Sequence, residues 1–212
     1  MPQEPKPISP IFTPINVIRK NKKSEILNEV IVNPKQPKEG TSVLRSGIKP
    51  IDLPQSIQVI GSEIIAQQQP LRLSDVIKNA NGIYVGSARG GAQESFWSRG
   101  YDMTANNMFK NGFRFSGGSI PEVSSLEKIE ILKGSAALLY GNVAPGGILN
   151  MVTKTPVFKN GGEITMQAGS YNFYKPSLDI YGPLNNAIAY RFNGSYENSE
   201  SFRDFVTKER YY

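Results

Sequence analysis

Apolar and polar residues alternate along this chain with a period that changes from segment to segment, and each change predicts an element. Ser56-Ile-Gln-Val-Ile60 alternates with period two, as a half-buried strand does. Ser62 then stands where an N-cap would open a helix over Glu63 to Gln69. Leu73, Val76, Ile77 and Ala80 share a face at helical spacing, Gly82 is placed to close that helix at C′, and Ile83-Tyr-Val85 resumes strand character. From Lys128 to Lys133 charged and apolar residues alternate again, predicting a strand with one buried face. Gly134 lets the backbone swing into a short apolar helix from Ser135 to Tyr140, which Gly141 ends. Pro145-Gly146-Gly147 is a turn, and Ile148 to Thr153 reads as a second buried strand. Mixed order of this kind predicts an α+β globule around a small sheet.

Beyond Gly161 the pattern becomes a plain dyad. Ile164, Met166 and Ala168 alternate with Glu163, Thr165 and Gln167; Gly182 to Ala187 is a turn; Ile188, Tyr190, Phe192 and Tyr196 alternate with Ala189, Arg191, Asn193 and Ser195. A transmembrane β-barrel strand looks like this, with one side toward lipid and the other toward the lumen. A soluble half-buried meander alternates in the same way.

Composition narrows the chemistry. The 212 residues are 39% hydrophobic and contain no cysteine and no histidine, which removes disulfides, thiol catalysis, the commonest general base and the commonest metal ligands. Apparent site motifs fail on inspection. Gly141 to Gly146 has the glycine spacing of a phosphate loop, but Gly147 and Ile148 stand where lysine and Ser/Thr are required. Gly86-Ser-Ala-Arg-Gly90 lacks the central serine of a nucleophile elbow. Glu127 and Glu130 are candidates for an acid/base pair, or for charge pairing and solvation on a strand. No catalytic residue and no metal site is expected, and the chain is not expected to be an enzyme. Five of the six net positive charges sit in the first fifty residues, with nine Lys/Arg against four Asp/Glu there and fifteen against fourteen beyond, so a nucleic-acid partner is not expected. No run approaches the roughly 18 apolar residues of a spanning helix. The proline-rich start shows no signal-peptide core.

The segment Leu126 to Lys154, with its Lys-Gly, Tyr-Gly, Pro-Gly-Gly, Asn and Thr-Lys steps and the Thr155-Pro156 that follows, resembles the closing signature of the plug domain of TonB-dependent outer-membrane receptors. Asp52 to Ile60, Asn81-Gly-Ile-Tyr-Val85, Phe96-Trp-Ser-Arg-Gly-Tyr101 and Asn111-Gly-Phe-Arg114 agree in the family's order, and the aromatic-x-Arg-Gly form most resembles siderophore receptors of the ferrichrome type. The resemblance implies an α+β plug with a small mixed sheet and short helices, followed by the first strands of an antiparallel transmembrane β-barrel. It divides the chain into a flexible basic extension (1–46), a plug domain (47–156) and barrel strands (157–212). A plugged barrel takes about 22 strands of about 9–11 residues, whereas residues 161–212 suffice for three or four, so an incomplete barrel and an N-terminal part of a receptor are expected.

The resemblance also assigns roles. Ile26 to Val32 resembles the TonB box, with Glu29, Val30, Ile31 and Val32 pairing by strand addition with a TonB-type energy-coupling protein; the same cluster could be the last strand of an upstream domain. Arg89, Ala105, Asn106, Phe115, Ser116 and Gly117 fall on the apical ligand-binding loops. Arg99 and Lys133 are assigned to charge pairing between plug and barrel. The implied function is uptake of a ferric siderophore at the cell outer membrane, with iron present only in the ligand and no resident cofactor. The alternative is a soluble plug-like binding or signalling module without transport.

Overall fold

A computed structural model describes residues 43, 55–89, 93–115, 121–134, 140–201, 203 and 206–212, with backbone only at 88 and 89. Along the described residues run β1 (Ile57–Gly61), α1 (Ser62–Gln68), α2 (Leu73–Ile77), β2 (Ile83–Arg89), β3 (Gln93–Ser98), β4 (Tyr101–Asp102), β5 (Met108–Lys110), β6 (Phe113–Arg114), a 3-10 turn (Val123–Ser125), β7 (Leu126–Leu132), β8 (Ile148–Thr153), β9 (Gly161–Gly169), β10 (Phe173–Pro183), β11 (Ala189–Glu200) and β12 (Thr207–Tyr211). They form three sheets: a mixed one ordered β1-β7-β8-β5-β6, a small one ordered β2-β3-β4, and an antiparallel one ordered β12-β11-β10-β9. The expected α+β globule followed by antiparallel strands is therefore present, and all of it lies in one compact unit. None of the described helices is long and apolar enough to cross a membrane, which says nothing of strands.

The mixed sheet is organised by β7 and β8, which are buried on both faces over much of their length. Ile129, Ile131, Leu149 and Met151 point into the main core with Phe96, Leu73, Val76 and Ile77 from α2 and β3. Leu132 and Ile148 point the other way, into a smaller cluster with Val43, Phe109 and Tyr140. The expectation of a single buried face on β7 is thus corrected: Ile129 to Leu132 are all buried, because Val43 and the segment around Tyr140 cover the second face. Glu130 is caught there at 0% exposure. Its carboxylate meets Lys128 Nζ at 3.0 Å and accepts from the Val43 amide at 2.8 Å and Asn150 Nδ2 at 3.1 Å. A buried carboxylate needs such donors, so Glu130 is a charge-paired structural group, while Glu127 faces solvent and the two form no acid/base pair.

Helix boundaries differ from expectation in small ways. Ser62 is the first residue of α1, not its cap; Gly61 occupies the N-cap, in an extended conformation continuous with β1, and contributes no side-chain cap. The second helix stops at Ile77. Ala80 still reaches the core, because its amide bonds to Ile77 O at 2.8 Å in the following turn. Gly82 then takes a φ of 78°, a conformation that glycine enters without penalty. The predicted helix from Ser135 lies largely outside the described residues.

Residues 161–212 supply four strands, within the expected three or four. Their dyad pattern is obeyed: Ile164, Met166, Ile180, Tyr190 and Phe192 are exposed on one face, whereas Lys175, Asp179, Ser195 and Glu197 are buried on the other. The inner face lies against the mixed-sheet part of the molecule through polar contacts, including Gln167 Nε2 to Gln69 O at 2.9 Å.

Candidate functional site

Strand register gathers several loops at one end of the mixed sheet. β5 runs parallel to β8, with Met108 beside Leu149, while β6 and β7 run antiparallel to them, with Arg114 beside Phe109 and Leu132 beside Ile148. The starts of β5 and β8 therefore share an end with the finishes of β6 and β7. Asn107, fully buried, ties two of the loops there. Its Nδ2 donates to Ala144 O at 2.7 Å and Gly147 O at 2.5 Å, and its Oδ1 accepts from the Ala144 amide at 2.9 Å. Arg114 ties a third: Nη1 donates to Asn106 Oδ1 at 3.1 Å, Nη2 donates to Asn142 O at 2.8 Å, and the guanidinium lies 5.9 Å from the Phe109 ring centre. Gly147 sits so close to the Leu132 carbonyl that a β-carbon could not fit, which is the physical demand behind the second glycine of Pro145-Gly-Gly.

Of the residues assigned to ligand binding, Ala105 and Asn106 are exposed in this loop cluster. Phe115 enters the same end, with its amide on Met108 O at 2.9 Å, but its half-buried ring packs on the main core. Arg89 ends β2, paired with Gln93 across the β2–β3 hairpin. Ser116 and Gly117 lie outside the described residues, as do Glu29, Val30, Ile31 and Val32. Arg99 is exposed in the β3–β4 turn with a φ of 51°, and Lys133 donates to Gln58 Oε1 at 3.1 Å. Among the described residues neither meets a carboxylate.

Charge pairing between the mixed-sheet part and the antiparallel sheet is carried instead by residues that sequence reading missed. Arg72, which precedes α2, grips Glu197 of β11 with both terminal nitrogens, Nη1 to Oε2 being 2.6 Å, and Arg210 of β12 approaches the same carboxylate at 3.8 Å. Burial disfavours the Arg72 charge, but the Glu197 contacts more than compensate and hold its pKa above the usual arginine value. Glu122, capping the 3-10 turn through the Ser124 amide, pairs with Lys175 of β10 at 2.9 Å, where both side chains are over nine-tenths buried. Lys154, just past β8, and Arg191 of β11 converge on Asp179 at 2.9 and 2.7 Å. Beside these pairs lies a cavity of about 580 Å³, lined by Glu63, Glu122, Lys154, Lys175, Asp179 and Arg191 among others. The available signal was the polar and charged character of the alternate, inward positions of β10 and β11. Their partners outside the antiparallel sheet lie 25 to 125 residues away in sequence and carry no local mark.

Comparison with known proteins agrees with this arrangement. Residues 49–148 match the family model of the TonB-dependent receptor plug domain. Among curated relatives, the metal-pseudopaline receptor CntO of Pseudomonas aeruginosa is 31% identical over 180 residues, covering 80% of this chain and 24% of the relative. The ferrioxamine B receptor of Salmonella typhimurium is 30% identical over 173 residues, covering 76% and 24%. Among solved structures, the ferric-catecholate import receptor Fiu from E. coli aligns with a TM-score of 0.66 at 29% identity, again over 76% of this chain and 24% of that one. The chain thus spans about a quarter of the length of the relatives it matches.

Proposed function

We propose that this chain is the plug-bearing part of a TonB-dependent receptor, on the strength of the plug-domain match at residues 49–148, and that it serves energy-coupled uptake of ferric siderophores across the outer membrane. The observation that carries the reading is the pairing of a plug-type mixed sheet with antiparallel strands that are charged inside and apolar outside. Relatives named as siderophore receptors support the substrate class. The apolar faces of β9 to β11 suit lipid contact, which supports an outer-membrane location. Iron enters only as part of the siderophore cargo.

In this reading a ferric siderophore settles on the loop cluster around Asn106, and Arg89 contributes from the β2–β3 hairpin. A TonB-type protein engages Glu29 to Val32 by strand addition. Displacing the plug then requires exchange of ion pairs at the antiparallel sheet. Water can take over such contacts, so the plug moves without its apolar core being opened. Arg99 and Lys133 remain available for further carboxylates of a barrel wall.

Grafting residues 1–212 in place of the matching quarter of the ferrioxamine B receptor tests the proposal. Restored growth on a ferric siderophore, lost again on Ile31→Pro, is the expected result, because proline removes a donor from the added strand. A graft that reaches the outer membrane and binds chelate yet never transports would favour a plug-like binding module instead.

A further inference from the structure

The loop cluster at the end of the mixed sheet has an unusual charge balance. The described residues that leave that end, 103–107, 115, 133–134 and 140–147, contain no Asp or Glu. Lys133 and Arg114 stand there, and a β-carbon at Gly134 would lie 3.9 Å from Arg99 Nη1, so a third cation adjoins. The nearest acid in sequence, Asp102, is occupied locally by accepting from the Thr104 amide at 2.7 Å. Arg114 differs from an ordinary surface arginine. It is exposed, yet oriented by two neutral acceptors and by the Phe109 ring. Neutral acceptors fix a guanidinium without cancelling its charge, and among the described residues no carboxylate pairs with it. A pre-oriented cation loses little freedom when an anion arrives, and the fork of a guanidinium matches paired oxygen acceptors.

We propose that this end of the sheet selects anionic metal chelates, with Arg114 as the residue that reads their charge. The inference rests on the receptor function proposed above and narrows its substrate to chelates whose oxygen donors leave net negative charge on the complex, such as tris-catecholates. Asn106 and Asn142 hold the guanidinium in place, and Asn107 keeps their two loops in register.

Calorimetric titration of the full chain with two ferric complexes of similar size tests this, one a trianionic tris-catecholate and the other an uncharged trihydroxamate. The unsubstituted chain is expected to prefer the anion by about tenfold or more, the scale of one charge-assisted contact. Arg114→Met should bring the ratio near one, and Arg114→Lys should keep most of it. Asn106→Ala loosens a tether while keeping the charge, and should retain a preference. Equal affinity of the unsubstituted chain for both complexes, a preference that Arg114→Met leaves intact, or an Asn106→Ala loss as complete as that of Arg114→Met would each overturn the inference alone. Binding of neither complex would overturn the receptor reading and the inference together.

Discussion

The molecule buries two surfaces of opposite chemistry. Around β7 and β8 the main core is dry and aliphatic, with Phe96, Ile129, Ile131, Leu149 and Met151 each within a few percent of full burial. Between that part and the antiparallel sheet, burial is instead achieved by Arg72 with Glu197, Glu122 with Lys175, and Lys154 with Asp179. Apolar contact has no substitute in water, so separating the first surface is strongly unfavourable. Ion pairs do have one: desolvation offsets much of their attraction, and water can replace each partner. The first surface commits the chain to a fold, and the second attaches one folded part to another in a way that can be released.

The comparison can be broken most sharply at the core. Phe96→Ala should destabilise the whole unit by about 4 kcal/mol, through lost burial and a residual cavity, read as a lower urea midpoint common to every probe. If β9–β12 kept their amide protection while β7 and β8 lost theirs, the two surfaces would not be coupled as described.

A smaller and more local effect is expected at the ionic surface. Lys175→Met alone strands the Glu122 carboxylate and should cost about 3 kcal/mol. Hydrogen exchange should then rise in β9–β12 before β7 and β8 respond. Adding Glu122→Gln should recover most of the loss, to within about 1 kcal/mol of the parent, since Gln keeps an oxygen for the Ser124 amide. A double variant no more stable than the single one would show that the pair matters for something other than mutual neutralisation.

The smallest effect is expected on the outer face. Ile164 is 81% exposed, so Ile164→Lys should change stability in water by less than about 0.5 kcal/mol. The same change should reduce co-flotation with liposomes if that face meets lipid, where a midplane lysine costs about 2–4 kcal/mol. Unchanged flotation would remove the lipid contact from β9.

What could be read in the chain alone was set by short-range physics. The bounds of β8 follow from a β-rich apolar run after Pro145-Gly-Gly, and the turn between β10 and β11 follows from a period of two broken at Gly182 to Ala187. Even the plug resemblance rests on turns and glycines whose backbone demands are local. The loops that carry Ala105 and Asn106 could likewise be named from motif order.

Only the tertiary structure decided which charges meet. Nothing near Arg72 in sequence marks it for pairing, yet it lies opposite Glu197, 125 residues away, whereas Arg99, which motif order singled out, faces solvent. Glu130 looked like the exposed half of an alternating strand until Val43 closed over it. Arg114 became an oriented cation only when register brought Asn106 and Asn142 to either side of it. An apolar pattern reports which side of an element is buried, because burial of carbon is non-directional. An ion pair or hydrogen bond needs one particular partner at about 3 Å, and that partner is chosen by how distant strands align.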